Sequence, residues 1–158
     1  MKKQKQESVW DYPRPPRIEA TAKQIRIVHR GEVIAESTRA VRVLETSHPP
    51  TYYIPEDDVR MEYLVLNDDH TVCEYKGLAS YYDLHLGRVV VPDVAWTYPQ
   101  PYPGFEQLVG YLAFYARKFD ACYVGGEQVD AQAGSFYGGW ITSDITGPFK
   151  GSAGTAGW

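Results

Sequence analysis

The sequence predicts a mainly β protein, a single compact domain of meandering antiparallel strands with one or two short helical turns. Its 158 residues match the usual size of one domain. Thirteen tyrosines and 4 tryptophans favour strands, while 14 glycines and 11 prolines favour turns. Short apolar–polar alternations also recur between turn residues. We expect one domain over residues 1–158, with an arm at 1–20, a β core at 21–126 and a C-terminal extension at 127–158.

The segment VWDYPRPPR at residues 9–17 is predicted to be an extended arm, because its prolines remove backbone donors and disfavour helix. Pro13 and Pro16 form a PxxP pair, which is typical of ligands for aromatic grooves. We favour the alternative that Trp10 and Tyr12 hold the arm over the protein's own core.

The predicted core is a series of short strands. Ile25 and Ile27 alternate with polar residues, and Arg30-Gly31-Glu32 predicts a hairpin turn. The further predicted strands lie at residues 33–36, 40–46, 52–54, 63–66, 72–75, 79–86, 89–91 and 94–98. In the strand at 40–46, Glu45 shares a face with Val41 and Val43, so its carboxylate is expected to lie near the interior.

The predicted connections are rich in glycine, proline and acidic residues. They are a helical turn at 55–58, a turn at Asn67-Asp68-Asp69, a kink within a strand at Lys76-Gly77, a short helix then a strand over 104–119, and a hairpin turn at Gly125-Gly126. Residues 136–158 are predicted to contain a strand at Trp140-Ile141 and otherwise a tail that only docking orders. We expect the core to fold without this tail.

The charge pattern argues against several partners. The net charge is −4 and the dense basic run is confined to Lys2, Lys3 and Lys5, so nucleic acid is not an expected partner. The polar, proline-rich residues that follow this run do not suit a signal peptide. The longest apolar stretch, 109–116, is too short to cross a membrane, and no membrane association is expected.

The cysteines indicate a reducing compartment. Cys73 and Cys122 build no disulfide framework and show no paired metal-ligand spacing, and the four histidines are scattered along the chain. We therefore predict a cytoplasmic protein without zinc or another cofactor.

Several motifs in order carry a resemblance to a known family. They are VWDYPRPP at 9–16, LETSHPPTYYIP at 44–55, TVCEYKGLASYY at 71–82, AWTYPQP at 95–101 and GYLAFY at 110–115. Together they resemble the domain of unknown function 427 family over residues 9–126. The resemblance implies a β-tent-like fold, similar to the Yippee-type, cereblon-type and methionine sulfoxide reductase B domains. Many of those relatives hold zinc through two CxxC pairs, which this sequence lacks.

Two enzymatic alternatives can be weighed against the residues. The family is sometimes labelled nucleotidyltransferase-like, but Gly134-Ser135 is followed by Asp144 and Thr146, which cannot supply a DxD pair of metal ligands. The other alternative makes Cys73 a nucleophile, with His48 as its base and Lys76 favouring the thiolate. A lone cysteine in a strand is more often a small buried apolar residue.

The leading hypothesis is a small-molecule site in an aromatic-lined pocket. Polar and aromatic side chains of the family-like motifs are expected to converge across neighbouring strands. These candidates are Glu45, Ser47, Tyr53, Cys73, Lys76, Tyr81, Trp96 and Tyr98. The alternative is a purely structural role, in which Glu45 and Lys76 form an ion pair between strands and the tyrosines fill the core. A third hypothesis is a homo-oligomeric interaction module that associates through the C-terminal extension.

Overall fold

A computed structural model describes residues 6–134 and 136–158. The basic run at Lys2, Lys3 and Lys5, and Ser135 of the Gly134-Ser135 pair, lie outside the described residues. The strands are β1 Glu7–Ser8, β2 Arg17–Ala20, β3 Ile25–His29, β4 Glu32–Ser37, β5 Val41–Leu44, β6 Thr51–Pro55, β7 Leu64–Cys73, β8 Gly77–Leu86, β9 Val89–Thr97, β10 Tyr111–Phe114, β11 Ala121–Val124, β12 Glu127–Gln128, β13 Asp130–Ala131, β14 Trp140–Ile141 and β15 Ile145–Thr146. Single 3₁₀ turns occupy Val9–Asp11, Glu56–Asp58, Met61–Tyr63, Glu106–Leu108 and Ala116–Lys118.

The prediction of a mainly β chain is confirmed. Of the residues that the structure describes, 47% lie in strands and 10% in helical turns, and no helix among them reaches seven residues. The 3₁₀ turns are more numerous than the one or two predicted, and those at Glu56–Asp58 and Glu106–Leu108 fall where turns were expected.

Two antiparallel sheets form the body of the protein. The larger has seven strands in the order β2-β5-β6-β10-β9-β8-β7, and the smaller has four in the order β12-β11-β3-β4. The largest buried cluster joins one face of the larger sheet, including Ile54, Leu84 and Phe114, to Ile25 and Ile27 of the smaller sheet. Because side chains alternate along a strand, the other face of the larger sheet carries a different set of residues, and that face forms the candidate site described below.

Local turn signals are confirmed at both predicted hairpins. Arg30 and Gly31 have φ values of 48° and 78° between β3 and β4, and Gly125 and Gly126 have values of 57° and 84° between β11 and β12. Positive φ at both central residues matches the right-handed twist of the flanking strands.

The predicted turn at Asn67-Asp68-Asp69 is wrong, because these residues form a bulge inside the ten-residue strand β7. The Asn67 amide donates to Asp83 at 2.7 Å and to Asp93 at 2.8 Å. A polar residue that predicted a turn is therefore hydrogen-bonded to side chains of other strands.

The prediction of separate strands at 89–91 and 94–98 is also wrong. These residues belong to one strand, β9, which continues through Asp93 although Asp93 has a positive φ of 51°.

The predicted kink at Lys76-Gly77 is a reversal of the chain. β7 ends at Cys73, β8 begins at Gly77, and these two residues pair across the ladder, so residues 74–76 form a three-residue hairpin loop. Gly77 has a φ of 115°, and the backbone N–H of Tyr102 donates to the Lys76 carbonyl at 2.9 Å. Both features hold the loop over one face of the sheet.

The arm and the C-terminal extension pack on each other and on the larger sheet. β1 pairs in parallel with β15, and Val9, Tyr12, Leu44 and Ile145 form a small buried cluster. Trp140 belongs to the main core and is 1% exposed, with its indole N–H donating to the Phe114 carbonyl at 3.0 Å. The extension therefore supplies a side chain to the main core, and the expectation that the core folds without residues 136–158 stays a prediction.

In the described residues, no helix combines the length and apolarity needed to cross a membrane.

Candidate functional site

One row of residues across the larger sheet forms the floor of the candidate site. The ladder pairs Tyr81 with Trp96, Trp96 with Ala113, Ala113 with Tyr53, and Tyr53 with Val41. Directly paired residues point to the same face of a sheet. The row crosses five strands, and three of them, β6, β8 and β9, bring two tyrosines and a tryptophan from distant parts of the chain onto one surface.

The aromatic residues of the floor contact one another. The Trp96 indole N–H donates to the Tyr53 hydroxyl at 3.3 Å, and the two rings meet edge to face at 6.3 Å between centroids. The Tyr98 ring lies 6.4 Å from that of Tyr53, and the Tyr115 ring lies 4.5 Å from that of Trp96. Such aromatic pairs hold one another in position, which gives the floor a defined shape.

The hairpin loop between β7 and β8 forms one wall. Cys73, Glu74, Tyr75 and Lys76 all line the space above the floor. Lys76 is 9% exposed, and Cys73 is one of the neighbours that raise the pKa of its ammonium.

The opposite wall comes from the connection between β5 and β6. Glu45 lies one residue beyond β5, and its carboxylate is 3.7 Å from Arg14 Nε and 3.5 Å from His48 Nε2. The Gln132 amide donates to His48 Nδ1 at 3.1 Å and to the Lys150 carbonyl at 2.7 Å. These contacts join the wall to the C-terminal extension.

The extension also covers the floor. Phe136, Tyr137 and Gly138 lie above it, and the Tyr115 hydroxyl donates to the Phe136 carbonyl at 2.9 Å. A side chain at Gly139 would bring its Cβ within 2.5 Å of the Pro49 carbonyl. Two glycines in succession therefore let the backbone lie close to the sheet. We call residues 136–138, with Gln132 and Lys150, the lid.

Floor, walls and lid enclose a cavity of about 260 Å³. Its lining includes seven of the eight residues singled out from the sequence: Glu45, Tyr53, Cys73, Lys76, Tyr81, Trp96 and Tyr98.

Ser47 is the exception, because it does not line the cavity. It is fully buried with a positive φ of 71°, and its hydroxyl accepts from Arg14 at 3.3 Å. Its backbone N–H donates to the Val9 carbonyl and its carbonyl accepts from Lys150. Ser47 thus links the arm to the extension and lies outside the cavity lining.

A family model described as a domain of unknown function (DUF427) matches residues 17–125, which is more than half of the chain. The chain belongs to the DUF427 family. A comparison with curated proteins finds no match. The floor and the hairpin wall of this DUF427 domain lie inside the matched region, whereas Arg14 and the whole lid lie outside it.

The electrostatics of the DUF427 cavity centre on Lys76. Burial opposes the charged form, but Tyr53, Cys73 and Glu45 outweigh it and raise the pKa of Lys76 above its ordinary value. Burial also raises the pKa values of Tyr53 and Tyr98, so both phenols are neutral at neutral pH and supply dipoles rather than charge. The ammonium is therefore charged, and its surroundings favour that charge in spite of its burial.

His48 is neutral at neutral pH. Burial, followed by the charges of Lys150, Arg14 and Lys76, lowers its pKa to about 4. Its 3.5 Å approach to Glu45 is consequently a contact between a neutral ring and a carboxylate, and not an ion pair. Because Nδ1 accepts from Gln132, the ring proton resides on Nε2, on the side of Glu45.

The geometry of the cavity gives little support to either enzymatic alternative. The ring nitrogens of His48 contact Gln132 and Glu45, not Cys73. Asp144, the carboxylate considered for nucleotidyl transfer, lies outside the cavity lining and pairs with Lys23 at 2.8 Å. Within residues 6–134 and 136–158, no three His, Cys, Asp or Glu side chains are grouped to hold a metal ion.

The lid was missed in the sequence. Gln132, Tyr137, Gly138 and Lys150 line the cavity, yet none of them was singled out. The available signal was the adjacent pair Gly138-Gly139, since neither glycine lies in a tight turn and both mark close backbone approach instead.

Proposed function

We propose that this DUF427 domain binds a small molecule in the cavity beneath the lid. The observation that carries the proposal is the enclosure of a charged, buried Lys76 and a row of aromatic residues around space that no side chain fills. Ligand sites combine this kind of apolar wall with a few directed polar groups.

The dimensions support a small ligand. At about 260 Å³ the cavity is close to the lower end of the range for ligand pockets, about 300–1,000 Å³. Trp96, Tyr98 and Tyr115 line the cavity, so aromatic surface is available for contact with a planar group.

The polar groups support orientation of that ligand. Lys76 approaches from the hairpin wall, while Glu45 and His48 approach from the opposite wall. His48 is held by the amide of Gln132, which is itself fixed through its oxygen by the Gly139 N–H at 3.0 Å. Polar groups with fixed positions cost little ordering entropy on binding.

The other hypotheses have less support. Catalysis by Cys73 is less well supported because its proposed base, His48, contacts Gln132 and not the thiol. Self-association through the extension is less well supported because Trp140 is buried within its own chain and is not available to a second copy. The cytoplasmic location stays a prediction from the cysteine content.

A thermal-shift screen tests the proposal. The library should contain organic acids, amino acids, nucleotides, sugars and sugar phosphates, and wild type should show a rise in Tm with members of one chemical class. The screen should be repeated on Thr71→Phe, which adds a ring to an inward-facing position of the edge strand β7.

Thr71→Val is the matched control, because it keeps the shape of threonine and loses the hydroxyl that contacts Tyr81 at 2.8 Å. The proposal expects the stabilising compounds to lose their effect on Thr71→Phe and to keep most of it on Thr71→Val. It fails if no compound stabilises wild type, or if Thr71→Phe responds as wild type does.

A further inference from the structure

Lys76 is a buried cation that has no carboxylate partner at ion-pair distance among the residues that the structure describes. Its residue is 9% exposed, and the neighbours that act on its charge are Tyr53, Cys73 and Glu45. Among the described ion pairs, none joins Lys76 to an acidic side chain. A buried charge is stabilised further by a direct opposite charge, and the cavity leaves room for an anion beside this ammonium.

Glu45, the carboxylate that acts on the charge of Lys76, has other partners. Its carboxylate approaches Arg14 at 3.7 Å and His48 at 3.5 Å, on the far wall of the cavity. The space between the two walls is therefore the position from which an anion would reach the Lys76 ammonium.

The other charged side chains of the cavity lining limit the net charge of an anion that the cavity would bind. The lining carries two ammonium groups, Lys76 and Lys150, and two carboxylates, Glu45 and Glu74. The Lys150 ammonium already lies 5.4 Å from the centre of the Tyr137 ring, over its face. A dianion such as a phosphate monoester would add two charges to a balanced lining that contains no arginine, whereas a carboxylate adds a single charge opposite the Lys76 ammonium.

Resting on the small-molecule function proposed above, we propose that the ligand is a small organic monocarboxylate. Its carboxylate contacts the Lys76 ammonium, and its flat or apolar body lies against Trp96 and Tyr98. The volume of about 260 Å³ suits a body of one or two rings.

Matched compound pairs test this ligand class. The panel contains benzoate, 4-hydroxybenzoate, indole-3-carboxylate and indole-3-acetate, each with its carboxamide, and phenyl phosphate as the dianion. We expect at least one carboxylate to raise the Tm of wild type and to bind at least tenfold more tightly than its carboxamide in calorimetry. Phenyl phosphate should bind more weakly than benzoate.

Lys76→Met removes the charge and keeps the length of the side chain. The difference in affinity between carboxylate and carboxamide should disappear in this variant. Lys23→Met is the matched control, because Lys23 has a carboxylate partner, Asp144, at 2.8 Å and lies away from the cavity. That control should keep the preference for the carboxylate.

The Tm of the unliganded variants gives a readout that needs no ligand. The neighbours of Lys76 outweigh its burial and raise its pKa, so loss of the ammonium should lower the Tm of Lys76→Met below that of wild type, and binding is compared at a temperature at which both proteins are folded.

The outcomes separate the two levels of the proposal. If carboxamides or phenyl phosphate bind as well as the carboxylates, the monocarboxylate class is wrong while small-molecule binding stands. If the carboxylates bind but Lys76→Met retains the full preference, the anchoring role of Lys76 is wrong. If no panel member binds and the broad screen finds another class, only the inference fails; if both find nothing, the proposed function fails as well.

Discussion

Gly138 of the lid lies against the indole of Trp96, so closely that an added Cβ would come within 2.2 Å of Trp96 Cη2. This contact joins the C-terminal extension to the floor of the cavity. It also makes the lid part of the site's shape, because the indole is held between Gly138 and the Tyr53 hydroxyl.

Gly138→Ala should therefore destabilise the protein and distort the cavity. The methyl group overpacks a buried indole, which costs about 1–3 kcal/mol in the free energy of unfolding. Urea denaturation followed by circular dichroism measures this. Gly157→Ala is the control, because a Cβ at Gly157 meets no atom within 4 Å, and its effect should stay below about 0.5 kcal/mol. Equal stability of the two variants would contradict the close contact.

Trp140→Ala should show that the extension belongs to the core. Loss of this fully buried side chain should cost about 3–5 kcal/mol, and deletion of residues 136–158 should cost at least as much. Phe136→Ala is the control within the same segment, since Phe136 is 54% exposed and should lose less than about 1 kcal/mol. A truncated protein that unfolds at the same urea concentration as wild type would show that the extension is a separable tail.

His48 should make stability sensitive to acid. Its pKa is about 4 in the folded protein and about 6.5 when unfolded, so below pH 6.5 the unfolded state binds a proton that the folded state refuses. The stability contributed by the neutral ring is complete above pH 6.5 and is lost as the pH falls toward 4. The loss approaches about 3 kcal/mol.

The variant His48→Gln separates the acid-dependent loss of stability caused by His48 from that caused by the carboxylates, because the carboxylates are present in both wild type and the variant. Chemical denaturation at pH 7 and pH 4.5 should show a smaller decrease for His48→Gln than for wild type. The exposed His85, changed to glutamine, should leave the decrease unaltered. The same pH dependence in all three proteins would refute the assignment to His48.

The two cysteines should differ sharply in reactivity. Cys73 lines the cavity, whereas Cys122 is 2% exposed and burial raises its pKa to about 12. Because the thiolate is the reactive form, iodoacetamide should modify native protein once, at Cys73, and reach Cys122 only in denaturant. Peptide mass spectrometry identifies the modified residue, and early modification of Cys122 would contradict the packing of β11.

The features that could be predicted from the sequence are those set by neighbouring residues. Gly125-Gly126 predicts its hairpin because positive φ at both positions is a local property. The acidic run at Asn67 misleads for the same reason, since its partners Asp83 and Asp93 lie on other strands.

The expectation that distant residues come together in one site was based on the sequence motifs and not on strand pairing. Glu45, Lys76 and Trp96 were expected to share an enclosure, and all three line the cavity. The direct Glu45–Lys76 pair was not found, because Arg14 of the arm approaches Glu45 instead. Contacts of this kind depend on how an arm and an extension dock, which no local pattern encodes.

Calorimetric titration before and after alkylation of Cys73 tests the location of the binding site most directly. The strongest compound from the thermal-shift screen is titrated into native protein and into protein carrying one carboxamidomethyl group on Cys73, which lies beside Lys76 in the cavity. Cys73→Ser treated with the same reagent shows whether other modifications matter, and its affinity should not change on treatment. We expect alkylation of wild type to weaken binding at least tenfold, because the added group occupies the ligand's space. An unchanged affinity in the fully alkylated protein would place the ligand elsewhere and contradict the account.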